Sequence, residues 1–205
     1  MASLTFSYGA MNSGKSADLL RAAHGYEERG GSVLITKPSV DTKGDTTIVS
    51  RAIEKAREVH FLTTPEMNIR EEIQAFIARE ALKNTDYELD CVFADEAQFL
   101  QPLQVEQLLE VTKLDNIPVM AYGIRTDFQA RVFPGSLSLF EKADRINQIV
   151  TICRCKKKAQ FNGRKDNGVF VFEGSQIAID GEADTTYEAL CGNCYLTEKA
   201  KALAA

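Results

Sequence analysis

Tyr8-Gly9-Ala10-Met11-Asn12-Ser13-Gly14-Lys15-Ser16 fits the spacing G-x-x-x-x-G-K-[ST], and it stands between an apolar strand-like run and a helical one. Leu4–Tyr8 reads as the strand, Gly9 and Gly14 allow backbone torsions closed to other residues, and Ser16 opens a helix running to about Arg29. That helix carries Ala17, Leu19, Leu20, Ala23 and Tyr26 at helical spacing and stops at Gly30-Gly31. In such a loop the backbone N–H groups from Gly9 through Ala10, Met11, Asn12, Ser13 and Gly14 converge on phosphates at the positive end of a helix. Lys15 can then reach the β- and γ-phosphates, and the Ser16 hydroxyl can ligate Mg²⁺. The implied ligand is a nucleoside triphosphate. The plainer alternative is a Gly/Ser-rich turn that only caps a helix.

Outward from this loop, strand-like runs recur at Leu4–Tyr8, Val33–Thr36, Cys91–Ala94, Val119–Tyr122 and Ile146–Ile152, with helical segments between most of them. A second helix is expected from near Pro65, carrying Ile69, Ile73, Phe76, Ile77 and Ala81. A third follows Pro102, with Val105, Leu108, Leu109 and Val111. The alternation predicts an α/β fold over residues 1–150, a parallel sheet with helices on both faces, and with the P-loop spacing the expected class is a P-loop, RecA-like sheet. From Cys153 onward the runs shorten and glycines and paired cysteines appear. Residues 151–205 are therefore expected to form a zinc-ribbon β appendage, with a hairpin of Val169–Glu173 and Gln176–Ile179 around Gly174-Ser175.

Composition narrows the function classes. The 205 residues are 44% hydrophobic and 26% charged, as expected of a globular protein with a sizeable core. A net charge of -5 argues against broad non-specific binding to nucleic acid, which depends on Lys and Arg neutralising phosphates. Residues 1–8 lack the pattern of a signal peptide, and no apolar run approaches the ~20 residues of a membrane span, so a cytoplasmic protein is expected. In that reducing setting five cysteines, four of them in two close pairs, point to metal before disulfide.

Asp90-Cys91-Val92-Phe93-Ala94-Asp95-Glu96 reads as a buried strand ending in two carboxylates. Asp95 would hold Mg²⁺, directly or through water. Glu96, one residue on, can face the acceptor and serve as general base for a hydroxyl attacking the γ-phosphoryl group. The alternative is an acidic helix start favoured by the macrodipole. Cys153-x-Cys155 and Cys191-x-x-Cys194 offer four thiolates for a closed, structural Zn²⁺ site, against the alternative of two unrelated reduced pairs. Cys91 is expected in the core, and the lone His24 and His60 receive no role. The basic run Arg154-Cys155-Lys156-Lys157-Lys158 reads as a solvated knuckle surface before a nucleic-acid contact.

Taken together, Gly9–Ser16, Asp95-Glu96-Ala97-Gln98-Phe99, Tyr122-Gly123-Ile124-Arg125-Thr126-Asp127-Phe128 and the paired cysteines with Tyr187 between them resemble the type II (cellular and bacterial) thymidine kinases, from about Ser3 to Tyr195. The resemblance implies transfer of the ATP γ-phosphoryl group to the 5′-hydroxyl of thymidine, giving dTMP. It also implies a homotetramer with dTTP as feedback inhibitor. It assigns Lys15 and Ser16 to phosphate and Mg²⁺, Glu96 to the base, and Gln98 to a place beside the phosphates. Phe99 and Phe128 match aromatics around the nucleoside, Met11 and Ile124 its apolar neighbours, and Arg164 a family arginine. Tyr187 matches the tyrosine of a lasso loop that closes over thymine, with Gln176, Ile177, Ala178, Ile179 and Asp180 as the remaining lasso contacts.

Three departures from the family pattern stand in this chain. Asp41-Thr42-Lys43 replaces D-x-R, so Asp41 and Lys43 keep a phosphate contact in kind while a planar guanidinium becomes a point charge. The lasso continues from Ile179-Asp180-Gly181 through Glu182-Ala183-Asp184-Thr185-Thr186, about two residues longer than the family pattern. The first cysteine pair is C-x-C. Two other readings compete: a P-loop ATPase module whose zinc ribbon binds nucleic acid, and a relative that keeps the nucleotide without turnover. The acidic balance argues against the first, and intact Lys15, Ser16 and Glu96 against the second.

Overall fold

The computed structural model describes residues 1–41, 44–50, 55–176 and 185–204. In chain order the elements are β1 (Leu4–Tyr8), α1 (Lys15–Glu27), β2 (Val33–Pro38), β3 (Thr47–Ser50), β4 (Lys55–Glu58), β5 (Phe61–Thr63), α2 (Ile69–Ala81), β6 (Cys91–Ala94) and a 3-10 turn at Ala97–Phe99. Then follow α3 (Pro102–Lys113), β7 (Val119–Gly123), α4 (Pro134–Lys142), β8 (Arg145–Gln148), β9 (Thr151–Ile152), β10 (Lys158–Ala159), β11 (Phe161–Asp166), β12 (Val169–Val171), β13 (Thr185–Leu190) and α5 (Gly192–Ala204).

Six strands make one parallel sheet in the order β5-β2-β6-β7-β1-β8. The side-chain period of two divides its residues between two cores. Leu4, Phe6, Leu34, Val92, Ala94, Val119 and Ala121 face α2, α3 and α4, meeting Ile69, Ile73, Val105, Leu108 and Leu139. Val33, Ile35, Cys91, Phe93 and Tyr122 face α1 through Leu19, Leu20 and Ala23. Both faces are therefore covered, which is why β6 is a continuous apolar run with all of Cys91, Val92, Phe93 and Ala94 buried. Each large side chain so buried contributes ~1.5–3 kcal/mol of transfer free energy before chain entropy is counted. Because the strands are parallel, Tyr8, Ala94 and Gly123 all end at the same edge, and β7 lies between β1 and β6.

Local sequence sets the boundaries. The second helix begins at Ile69, later than near Pro65, because Asn68 caps it: its side-chain oxygen accepts from the Glu71 backbone N–H at 3.2 Å. Pro102 occupies the first turn of α3, where its missing N–H costs nothing. The run Ile146–Ile152 does not form one strand. Its first part pairs with β1 as a sheet edge, whereas Thr151–Ile152 turns away to pair antiparallel with β10.

The second strand of the expected hairpin of Val169–Glu173 with Gln176–Ile179 falls mostly outside the described residues. Val169–Val171 pairs with β11, and Asp166 faces Val169 across a two-residue turn. That turn is Asn167-Gly168, with φ of 50° and 80°, the doubly left-handed geometry that suits Asn-Gly and matches strand twist. Residues 177–180 lie outside the described residues. β11 also pairs along its length with β13, giving a three-stranded antiparallel sheet. A third apolar cluster, Cys153, Ala159, Leu190, Cys191 and Tyr195 with Phe161, Phe170 and Phe172, packs this part of the chain.

Candidate active site

The loop Gly9–Ser16 leaves the end of β1 and is closed on its neighbour strand by the Gly9 N–H, which donates to the Gly123 carbonyl at 3.2 Å. A side chain at position 9 would collide with Ser13 Oγ and come within 2.9 Å of the Ile149 carbonyl, so glycine is required there. Gly14 caps α1 at φ 85°, and the Asp18 N–H returns to its carbonyl at 2.9 Å. Lys15 is 7% exposed and donates to the Ala10 carbonyl at 3.1 Å, across the mouth of its own loop. Residues 11–17 line a cleft of about 360 Å³ together with Val49, Ser50 and Glu96.

Strand β6 delivers the carboxylates to this cleft. Ser16 Oγ donates to Asp95 Oδ2 at 3.0 Å, while the buried Oδ1 of Asp95 has no hydrogen-bond partner among the described residues. Burial pushes the Asp95 carboxyl up to about 7 and the neighbouring Glu96 adds to the shift, with Ser16 and Lys15 pulling the other way. A hydroxyl touching a buried carboxylate is a pair of oxygen donors suited to a hard divalent cation.

Glu96 adopts φ 46°, ψ 37°, a left-handed conformation that costs a non-glycine residue ~1–2 kcal/mol. The strain is held by the turn that follows, where the Phe99 N–H donates to the Glu96 carbonyl at 3.1 Å. Gln98, buried at 2% exposure, donates through Nε2 to Glu96 Oε2 at 2.6 Å. Its Oε1 accepts from the Ile124 backbone N–H at 3.1 Å, which fixes which end of the amide is which. Thus Gln98, expected beside phosphates, here holds the Glu96 carboxylate.

The structure brings several of the remaining expected residues together. The Arg164 guanidinium lies over the Phe128 ring at 5.3 Å and donates to Asp166 at 2.9 Å. Tyr187 stands opposite Arg164 in the β11–β13 register, and its carbonyl accepts from Asn12 Nδ2 at 3.4 Å. Ile124 and Phe128 are buried, and Phe99 is half-buried, its ring edge-on to Phe133 at 5.6 Å. Gln176 is half-buried in a bend. Asp41 forms an ion pair at 3.1 Å with Lys37, itself 1% exposed on β2. Lys43, Ile177, Ala178, Ile179 and Asp180 lie outside the described residues.

The sulfurs of Cys153, Cys155, Cys191 and Cys194 lie within 4.8 Å of one another. Cys155 is 3.6 Å from Cys153 and 3.4 Å from Cys191. Thiolates ~2.3 Å from a tetrahedral ion would be ~3.8 Å apart, so the cage is of the right size for Zn²⁺. The Cys194 backbone N–H and neighbouring thiols hold Cys191 down to about 6, whereas the Cys155 sulfur pushes Cys194 up to about 12. Such crowding is relieved when a cation takes all the thiolates.

The thymidine kinase family model matches residues 2–195. The thymidine kinase of Enterobacteria phage T4 is 45% identical over 192 residues, covering 93% of this chain and 94% of the phage protein. That of Legionella pneumophila (strain Lens) is 43% identical, covering 93% and 88%, and that of Streptococcus pyogenes serotype M6 is 41% identical, covering 95% and 97%. The chain belongs to the thymidine kinase family. A solved structure of a DNA replication initiation factor superposes with a TM-score of 0.39 at 14% identity, over 73% of this chain and 40% of that one, a likeness too low to bear on fold or activity.

For a member of the thymidine kinase family, the geometry adds residues that the sequence did not single out. Lys37 anchors Asp41, and Tyr195 donates from its hydroxyl to the Phe128 carbonyl at 2.8 Å. Asn162, 2% exposed, bonds the backbone of both Met11 and Thr126. A polar residue between Phe161 and Gly163 gave no pattern from which these partners could be read, because they lie in distant parts of the chain.

Proposed function

We propose that this chain phosphorylates the 5′-hydroxyl of thymidine with ATP, producing dTMP and ADP for nucleoside salvage. The observation that carries the reading is the Glu96 carboxylate, held by Gln98 at the rim of the cleft formed by the Gly9–Ser16 loop. Glu96 takes the proton of the attacking hydroxyl. That oxygen bonds to the γ-phosphorus as the bond from phosphorus to the ADP oxygen breaks. The phosphates lie on the backbone N–H groups of residues 9–16, read as a P-loop, and Lys15 exchanges its Ala10 contact for a phosphate oxygen. Ser16 and Asp95 would hold Mg²⁺, which would supply positive charge against the phosphates. The strand order, with β7 between the loop strand β1 and the acidic strand β6, supports a RecA-like core over residues 1–150.

Phe128, Arg164 and Tyr187, gathered on one side by the β11–β13 pairing, support a nucleoside site that also takes in Met11, Phe99, Ile124 and the lasso segment Gln176–Asp180. Asp41 and Lys43 are assigned to the phosphate side. Cys153, Cys155, Cys191 and Cys194 hold a structural Zn²⁺ in a ribbon domain spanning 151–205, a reading supported by the sulfur spacings. Family membership supports a cytoplasmic homotetramer inhibited by dTTP. Among the described residues no helix is long and apolar enough to cross a membrane. Arg154, in the basic run, is engaged by Glu188 and Glu198, which argues against that run as a nucleic-acid surface.

A coupled ADP-release assay with thymidine, deoxyuridine, deoxycytidine and deoxyguanosine tests the proposal. Thymidine should give the highest kcat/KM and single-stranded DNA no stimulation. ADP release that ignores thymidine but responds to DNA would replace the proposal with a nucleic-acid-dependent ATPase.

A further inference from the structure

Asn162 is a polar side chain in the middle of the molecule, on β11, and is 2% exposed. Its Oδ1 accepts from the Met11 backbone N–H at 2.7 Å, and its Nδ2 donates to the Thr126 carbonyl at 2.8 Å. Met11 lies within the loop Gly9–Ser16, and Thr126 stands two residues before Phe128. A single amide therefore joins two loops that come off different strands of the main sheet, and it does so from a third element outside that sheet. A primary amide presents an acceptor and a donor in one plane, and both are used on backbone groups. An acid at this position would turn a carboxylate oxygen toward the Thr126 carbonyl, and an aliphatic residue would take this partner from both backbone groups, the one at Thr126 being buried.

The strand that carries Asn162 is itself tightly placed. At the next residue a Cβ on Gly163 would come within 2.6 Å of the Phe170 ring and 2.8 Å of Leu190, so β12 and β13 close directly over the β11 backbone. Asn162 pairs with Ala189, and β13 ends at Leu190, next to Cys191 of the sulfur cage. We infer that Asn162 is a positioning residue that sets the nucleotide loop and the Thr126–Phe128 segment against each other, with its own place fixed by the β11–β13 sheet. The inference rests on the proposed kinase reading for which substrate each loop serves, but not for the coupling itself.

The test compares full-length Asn162→Ala and Asn162→Asp with the parent, using steady-state kinetics and amide hydrogen exchange. Asn162→Ala should raise exchange ~10–100-fold both in the peptide around Met11 and in the peptide around Thr126, and should raise KM for ATP and thymidine together. Asn162→Asp keeps an acceptor for the Met11 N–H and loses the donor to Thr126. Its exchange should rise mainly in the Thr126 peptide, with KM for thymidine raised at least fivefold more than KM for ATP. Changes confined to β11 peptides, or both variants within twofold of the parent in exchange and KM, would overturn the inference. If Asn162→Ala does not fold, the Asn162→Asp split decides alone. The exchange experiment is read with or without turnover, so a parent that fails to phosphorylate thymidine would defeat the kinase reading and leave the coupling measurable.

Discussion

Gln98 holds Glu96: its amide nitrogen lies 2.6 Å from Oε2 of that carboxylate, and the amide oxygen is fixed by the Ile124 N–H at 3.1 Å. A carboxylate proposed as general base must be oriented toward the hydroxyl it deprotonates, and a fixed donor limits its rotation. Glu96→Gln should therefore retain nucleotide binding and lose ~10²–10⁴-fold in kcat, the range for a positioned base.

Gln98 itself supplies a finer prediction. Gln98→Leu removes the donor without adding charge and should lower kcat by about tenfold, equivalent to ~1.4 kcal/mol at the transition state. Gln98→Glu places a second carboxylate against Glu96, and two such groups in contact cannot both ionise freely. The acid limb of its kcat–pH profile should move to higher pH. Parent-like kcat in Gln98→Leu together with an unmoved profile in Gln98→Glu would show that Glu96 needs no such support.

These relationships separate what the sequence could reveal from what it could not. The buried run Cys91–Ala94, the loop Gly9–Ser16 and the cysteine pairs are local patterns, and the structure brings Ser16 to Asp95 and the four sulfurs into one cage. Asn167-Gly168 is likewise a local turn signal, and it marks the β11–β12 hairpin, a pairing not among those expected. The contacts made by Gln98 and Asn162 are not local in this way. Their hydrogen-bond partners, Ile124, Met11 and Thr126, are fixed by strand order and by packing between sheets, neither of which is periodic in sequence.

Gly135, in the first turn of α4, abuts the turn that carries Glu96 and Gln98. A Cβ there would meet the Leu100 carbonyl at 2.5 Å, that of Gln98 at 2.7 Å and that of Ala97 at 2.8 Å. Helix propensity alone favours alanine by ~1 kcal/mol, whereas forcing atoms into packed backbone costs ~1–3 kcal/mol or more. Backbone carbonyls in a short turn have little room to move, so the second effect wins. Gly135→Ala should lower Tm and also kcat. A variant with raised Tm and parent kcat would mean that this contact is loose.

The sulfur cage predicts one Zn²⁺ per chain in freshly purified, reduced protein. Cys191→Ser removes a ligand adjacent to β13 and should lose most of the metal, as binding free energies of ~10–16 kcal/mol in small zinc-dependent peptides depend on the full set. Because Tyr195 follows Cys194 and bonds the Phe128 carbonyl, KM for thymidine should rise in the same variant. Elemental analysis finding full zinc in Cys191→Ser would count against the four-cysteine assignment.

Asp144 staples the start of β1 to the chain beside it. Its Oδ2 accepts from the Leu4 N–H at 2.7 Å, and Lys113 Nζ lies 2.7 and 2.8 Å from the two carboxylate oxygens. The Lys113 contact, and after it the Leu4 N–H, hold the carboxyl below its ordinary range. An unfolded aspartate titrates near ~3.9, so the native state binds its proton only at lower pH. The stabilisation is therefore complete above the unfolded value and is lost as pH falls through the native one. The side chain is 35% exposed, so the ion pair is screened, and Asp144→Asn should cost only ~1 kcal/mol at pH 7. Urea unfolding of parent and variant between pH 6 and pH 3 tests this, because the other carboxylates titrate alike in both proteins and cancel in the difference. The gap between the two should shrink as pH falls below about 4. A gap that stays constant to pH 3 would assign the contribution of Asp144 to contacts that the amide cannot make, with no part for its charge.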